Sequence, residues 1–238
     1  TGASTFANTE GTNDAITLDD SGNTFTGTVA FSTDSGSDVT IVDTTALDLQ
    51  TLTAGSLSVS TVGVVTDSGT LTISGTTTIN AGVADITLDQ AASTFGTLVL
   101  TGANVAVIEN AATDLGASTV SGTLGITSGG AITDSGTLVI TGASTFTNTA
   151  GTNDAITLDD SSNVFSGTVA FSTDSGSAVT LVDTTSVDLQ ALNAGSLNVN
   201  VGGAVTDSGT LAITGTTTIS ASGQNITLDE AASTFGTL

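Results

Sequence analysis

No basic side chain occurs in this sequence: Lys, Arg and His are all missing, against 23 Asp and Glu. The formal net charge is −23, and no salt bridge is available to the fold. Nucleic acid is excluded as a partner, because gripping phosphate needs a basic patch. Cys is also absent, which removes disulfides, thiolate chemistry and structural zinc. Without Pro, every backbone N–H is free to join a ladder. No run of about 18 apolar residues occurs, so no helix is expected to insert in a membrane. Thr1 begins in mid-pattern, so any export signal is expected to lie outside this segment.

What is present points one way. Charged residues are 10 % and hydrophobic residues 38 %, which is unlike a disordered acidic tail. The apolar set is Val, Ile, Leu and Ala with eight Phe, set among Thr, Ser, Gly and Asn. Thr, Val and Ile favour pleated positions, while Gly, Asn and Asp favour turns. An all-β fold is expected, and no long window carries a helical period.

Self-comparison supplies the architecture. Thr1–Leu98 returns without a gap as Thr141–Leu238, about three quarters identical. A fainter copy lies halfway. Ile16-Thr17-Leu18-Asp19 recurs at Ile86, Ile156 and Ile226, and Phe25 recurs at Phe95, Phe165 and Phe235. The chain therefore reads as one continuous solenoid, 1–238, of repeats of about 70 residues. Their approximate bounds are 1–70, 71–140, 141–210 and a partial 211–238. Both ends fall inside a repeat, so a longer array is expected. Loops differ in length between copies, as Asn8–Asp14 against Asn80–Asp85 and Ser32–Val39 against Thr101–Val105. Strands are expected to hold register across such insertions.

Within the repeat, apolar pairs recur near every 23 residues: Ile16/Leu18, Val39/Ile41, Val62/Val64 and Ile86/Leu88. A second column runs Phe25, Leu47/Leu49, Leu71/Ile73 and Phe95. Alternation places each pair on one face of a strand. The spacing predicts a parallel β-helix with about three short strands per coil, about ten coils and a length of about 50 Å. The turns Thr66–Gly69, Thr133–Gly136 and Thr206–Gly209 share the sequence Thr-Asp-Ser-Gly, as do Thr33–Gly36 and Thr173–Gly176. Asp or Ser is expected to accept N–H bonds within the turn, and Gly to supply positive φ.

The phrases at 66–79 (TDSGTLTISGTTTI) and 85–98 (DITLDQAASTFGTL) resemble the repeat regions of giant filamentous-haemagglutinin-like bacterial exoproteins. The resemblance covers essentially the whole chain. It implies a right-handed parallel β-helix, export to the extracellular space or bacterial cell surface, and a role as a fibre or adhesin shaft.

Catalysis has few parts to draw on. Acid–base work at neutral pH recruits His, Lys or a shifted carboxylate, and only the last is here. Asn13-Asp14 with Asp19-Asp20 faintly resembles the paired aspartates of pectin-degrading β-helix enzymes. Those enzymes also need basic residues, and Asp14, Asp19 and Asp20 recur as Asp154, Asp159 and Asp160, whereas an active site is built once. Turn roles are the expectation, with no enzyme, no catalytic residue and no cofactor.

Calcium is the fairer alternative, because Gly11–Asp14, 151–154 and Asp19-Asp20-x-x-Asn23 offer oxygen ligands. No tight Gly-Gly-x-Gly-x-Asp nonapeptide is present, so these are read as water-facing turn residues with no metal site. Thr76–Thr78 and Thr216–Thr218, near Thr70-x-Thr72, raise a water-ordering face, but Thr210-Leu211-Ala212 breaks the second copy. Ordinary strand surface is the reading. The Phe residues are assigned to the core.

Spreading the charge over about 50 Å gives roughly one charge per 2 Å, near that of duplex DNA. Counter-cations, calcium included, are therefore expected partners alongside neighbouring repeats and homotypic lateral or end-to-end association, and lateral bundling is expected to need divalent ions. The alternatives to a passive shaft are a calcium- or glycan-binding adhesin module and, disfavoured, a carbohydrate-active enzyme.

Overall fold

The computed structural model describes residues 2–8, 11–149, 151 and 153–238. The chain forms two compact units, Thr1–Ala111 and Ala112–Leu238. Every regular element among the described residues is a β-strand, and no helix is long and apolar enough to cross a membrane. The pairings inside each unit are parallel, which makes each a β-solenoid. Parallel strands joined by crossovers wind right-handed in nearly all proteins, consistent with a right-handed β-helix.

Local pattern makes these strands. In Asp38–Asp43, Val39, Ile41 and Asp43 face inward while Thr40 and Val42 face outward. Leu57 and Val59 repeat that alternation one coil later, and all four apolar side chains are buried. A one-residue slip would turn the whole set outward, so the core fixes register.

Three ladders run through the first unit. One stacks Ile16, Val39, Leu57, Thr77 and Leu98. A second stacks Leu47, Val65, Ile86 and Val105. A third stacks Ala54, Ile73 and Phe95. The second unit repeats the scheme with Ile132, Ile156, Val179, Leu197 and Thr217, then Val187, Val205 and Ile226, then Ala194, Ile213 and Phe235.

Coil and repeat are therefore not the same object. From Ile16 three coils lead to Thr77, and the next strand, carrying Ile86, lies on a different ladder. From Ile156 three coils lead to Thr217, and Ile226 again lies on the other ladder. Each repeat of about 70 residues advances three coils plus one face, so a feature that recurs with the repeat winds around the solenoid.

This corrects the expected column. Val62 and Val64 do not stack on Ile41; they sit at a corner, 73 % and 42 % exposed, and Leu57 and Val59 take the rung. Likewise Leu71/Ile73 do carry Phe95 in the third ladder, but Leu47/Leu49 belong to the second. Phe95 and Phe165 are buried as assigned, while Phe25 and Phe235 are half-buried. Ring contacts join Phe6 to Phe25 and Phe31, and Phe146 to Phe165 and Phe171. Spacing between stacked residues runs from 18 (Val39 to Leu57) to 25 (Ser4 to Val29), not a steady 23, because corners take up the difference.

The Thr-Asp-Ser-Gly turn also differs from expectation. Gly69, Gly136 and Gly209 are not among the residues with positive φ. A Cβ on them would lie 2.1–2.4 Å from the backbone nitrogens of Thr51, Ala117 and Ala191. Close approach of neighbouring coils, and not an unusual φ, demands glycine there.

Candidate functional site

Among the described residues, chemistry-bearing side chains gather at the acidic turns. In the turn after Leu18, Asp20 Oδ1 accepts the Gly22 N–H at 2.8 Å; Asp160 Oδ1 does the same for Ser162 at 2.9 Å. These aspartates shape their own turns, as expected. In the neighbouring loop, Thr12 donates to Asp14 Oδ2 at 2.5 Å and Asn8 donates to the Asp14 carbonyl at 2.9 Å. Asn13 and Asn153 adopt positive φ and lie over Gly36 and Gly176. Thr9 and Glu10 of the loop Asn8–Asp14 and Thr152 of the expected calcium loop 151–154 lie outside the described residues. Among the described residues no group of three carboxylates is placed to hold a metal ion.

A second set of carboxylates was missed by sequence reasoning. Asp67, Asp134 and Asp207 stand at strand ends and accept the N–H of the next coil's turn, from Asp89, Asp159 and Asp229, each at 2.8 Å. From the other side, Asp43, Glu109 and Asp183 accept the N–H of Phe25, Phe95 and Phe165 at 3.1, 3.0 and 3.4 Å. The turns 88–95 and 158–165 are thus held between a carboxylate below and another above. The signal was available in hindsight: each carboxylate ends an alternating strand on its inward-facing parity.

Burial has an electrostatic cost at these positions. Desolvation pushes the Asp67, Asp134 and Asp183 carboxyls above the usual carboxylate range, although the N–H bonds they accept pull the other way. The Ser of the same turn faces outward and ties coils on the solvent side. Ser68, Ser135 and Ser208 donate to Asp48, Asp114 and Asp188 at 2.6, 2.8 and 2.7 Å.

Elsewhere the outward strand positions are rich in hydroxyls. Thr40, Ser58 and Thr78 form one outward column, and Thr53, Thr72 and Thr94 another. In the Thr-Thr-Thr segments the outer residues face water while Thr77 and Thr217 point into the core. Shallow corner grooves of about 290 and 310 Å³ recur in the two units, lined by Thr28, Asp48 and Thr66 and by Thr168, Asp188 and Thr206.

Comparison with known proteins agrees with this repeat geometry. No curated protein and no solved structure matches the chain. A family model described as repeats of unknown function matches residues 1–32, 36–102, 102–172 and 176–238. Its middle segments have the length of the repeat that winds three coils and one face. The chain belongs to that family, the repeats of unknown function DUF5649.

Proposed function

We propose that this chain is a non-catalytic structural segment of a secreted bacterial surface fibre or adhesin shaft. The observation that carries the reading is the employment of the carboxylates. Asp20 and Asp160 hold a backbone N–H within their turns, and Asp67 and Asp207 hold one between coils, so equivalents do this in both units. Outward strand positions offer short hydroxyls, with no cation beside them to stabilise a developing anion. Stacking is the one thing the repeat does in every coil, and stability then grows with neighbours. The extracellular setting rests on the resemblance of 66–79 and 85–98 to exoprotein repeats. Immunogold labelling of cells that produce the native protein tests it. Label on surface fibres supports the shaft; label confined to the cytoplasm overturns it. Hydrolysis of a polyuronide that is lost in Asp19→Asn would overturn the non-catalytic part.

A second reading, an adhesin module that takes a glycan or calcium, is favoured by the recurring corner grooves around Asp48 and Asp188. A glycan array and calorimetry with calcium separate the two, since a null on both leaves only the shaft. The same shaft reading assigns lateral bundling to divalent counter-ions, checked by light scattering with and without calcium.

A further inference from the structure

The turn between two buried carboxylates comes in two versions. In 158–165, Asp134 has both oxygens occupied: Oδ1 accepts the Asp159 N–H at 2.8 Å, and Oδ2 accepts the Asp160 N–H at 3.3 Å and the Asn163 amide at 2.5 Å. Asn163 is fully buried, and its Oδ1 accepts the Leu138 N–H at 2.8 Å. The equivalent residue is Ser93 in 88–95 and Ser233 in 228–235. Their hydroxyls accept the N–H of Leu71 and Leu211 at 3.0 Å, so serine keeps one duty of the asparagine. It is too short for the other. Asp67 Oδ2 and Asp207 Oδ2 are buried with no hydrogen-bond partner, in side chains only 5 % and 6 % exposed.

We propose that the residue at 93 and 163 sets an acid response: Asp67, left half-satisfied by Ser93, is a proton-accepting site at which its coil junction tightens as pH falls, whereas Asn163 gives Asp134 the partner for its second oxygen that Asp67 lacks. An ionised carboxylate with one dry oxygen is costly, and protonation removes most of that cost. No cation exists in the chain to do so instead.

The groups facing each site reinforce the grading. Beneath Asp67 lies Leu49, and Asp48 of that strand points outward to Ser68. Above it are Asp89, whose charge adds to the upward push, and the Gln90 amide, which reaches the Asp67 carbonyl at 3.4 Å. Asp134 faces Asp159 and Asp160, but the Asn163 bond lowers its carboxyl against the desolvation that raises it.

For a carboxyl raised on folding, the folded state binds the proton more tightly than the unfolded chain. Its contribution therefore grows as pH falls from above the raised value toward the ordinary 3.8, and is lost as pH rises again.

The experiment is a carboxyl-carbon NMR titration of the whole chain, run beside urea unfolding across the same pH range. Asp67 is expected to titrate above Asp134. Ser93→Asn is expected to move the Asp67 midpoint down the pH scale without moving Asp134, and to flatten the gain in urea midpoint on acidification. Asn163→Ser is expected to move Asp134 up. Should an asparagine variant fail to fold, Asp67→Asn, which keeps an acceptor for Asp89 and removes the charge, is expected to match at neutral pH the stability the native chain reaches in acid. Asp67 titrating at or below Asp134, an Asp67 midpoint indifferent to Ser93→Asn, or an Asp67→Asn chain weaker than native throughout would each overturn the proposal.

Discussion

Thr1–Leu98 and Thr141–Leu238 are two copies of one segment, and their differences fall where the solenoid tolerates them. Core ladders keep shape: Ile41 becomes Leu181 and Leu47 becomes Val187, all buried. At one corner the hydrogen bonding is rewired. In the first copy the Thr61 hydroxyl accepts the Gly63 N–H at 3.1 Å and donates to the Thr45 carbonyl. In the second, Val201 replaces Thr61; Gly203 donates to the Thr185 carbonyl at 2.9 Å, and Ser186, in place of Ala46, accepts the Ala204 N–H at 3.0 Å. One hydroxyl is lost and another gained a coil away, so the corner stays satisfied. The same corner sheds its exposed valines, Val62, Val64 and Val83 giving way to Gly202, Ala204 and Gly223. What the two copies share is therefore a set of contacts between coils; the residues that make them are exchangeable.

Paired substitutions can break that comparison. The largest effect is expected at the stacked corner glycines, where a Cβ on Gly55 or Gly195 would lie 2.6 or 2.5 Å from the carbonyl oxygen of Gly36 or Gly176. Alanine at either position is expected to cost about 3 kcal/mol in urea unfolding. Unequal costs would show that the copies are not mechanically equivalent.

Next comes the turn residue held between carboxylates. Asn163→Ala strands the Leu138 N–H and leaves Asp134 Oδ2 with only the long Asp160 N–H bond, and is expected to cost about 3 kcal/mol, whereas Ser93→Ala strands only the Leu71 N–H and is expected to cost about 1.5 kcal/mol. Equal values would erase the distinction drawn between the two versions of the turn.

Thr77→Val and Thr217→Val are expected to stabilise, by about 1 kcal/mol each, because each removes a buried hydroxyl that has no partner. The smallest effect is expected at the exposed corner. Val62→Ser and Val83→Ser should stay within about 0.5 kcal/mol of the native chain in thermal melts. A larger loss would mean that the corner valines are covered by something.

Much of this was legible in the sequence because its signals are local. Alternation in Val39-x-Ile41 and Leu57-x-Val59 marks strands whatever surrounds them, and the Asp20 turn is made by its own neighbours. Val62-x-Val64 carries the same alternation and is a corner. Nothing nearby distinguishes it, because a rung is chosen by which strand fits the coil below. The buried carboxylates escaped for a related reason. Asp67 reads as the start of a turn, yet its bond is to a residue a full coil away.

By itself the sequence determined an all-β solenoid: a chain that alternates apolar and hydroxyl residues, never uses Pro and repeats itself can bury its faces only by stacking. Tertiary structure alone decided which residues stack, that a repeat ends one face further round than it began, and which glycines and carboxylates bridge coils. The physical reason is that corner lengths vary from coil to coil, so contact partners follow from closure of the whole turn and not from spacing along the chain.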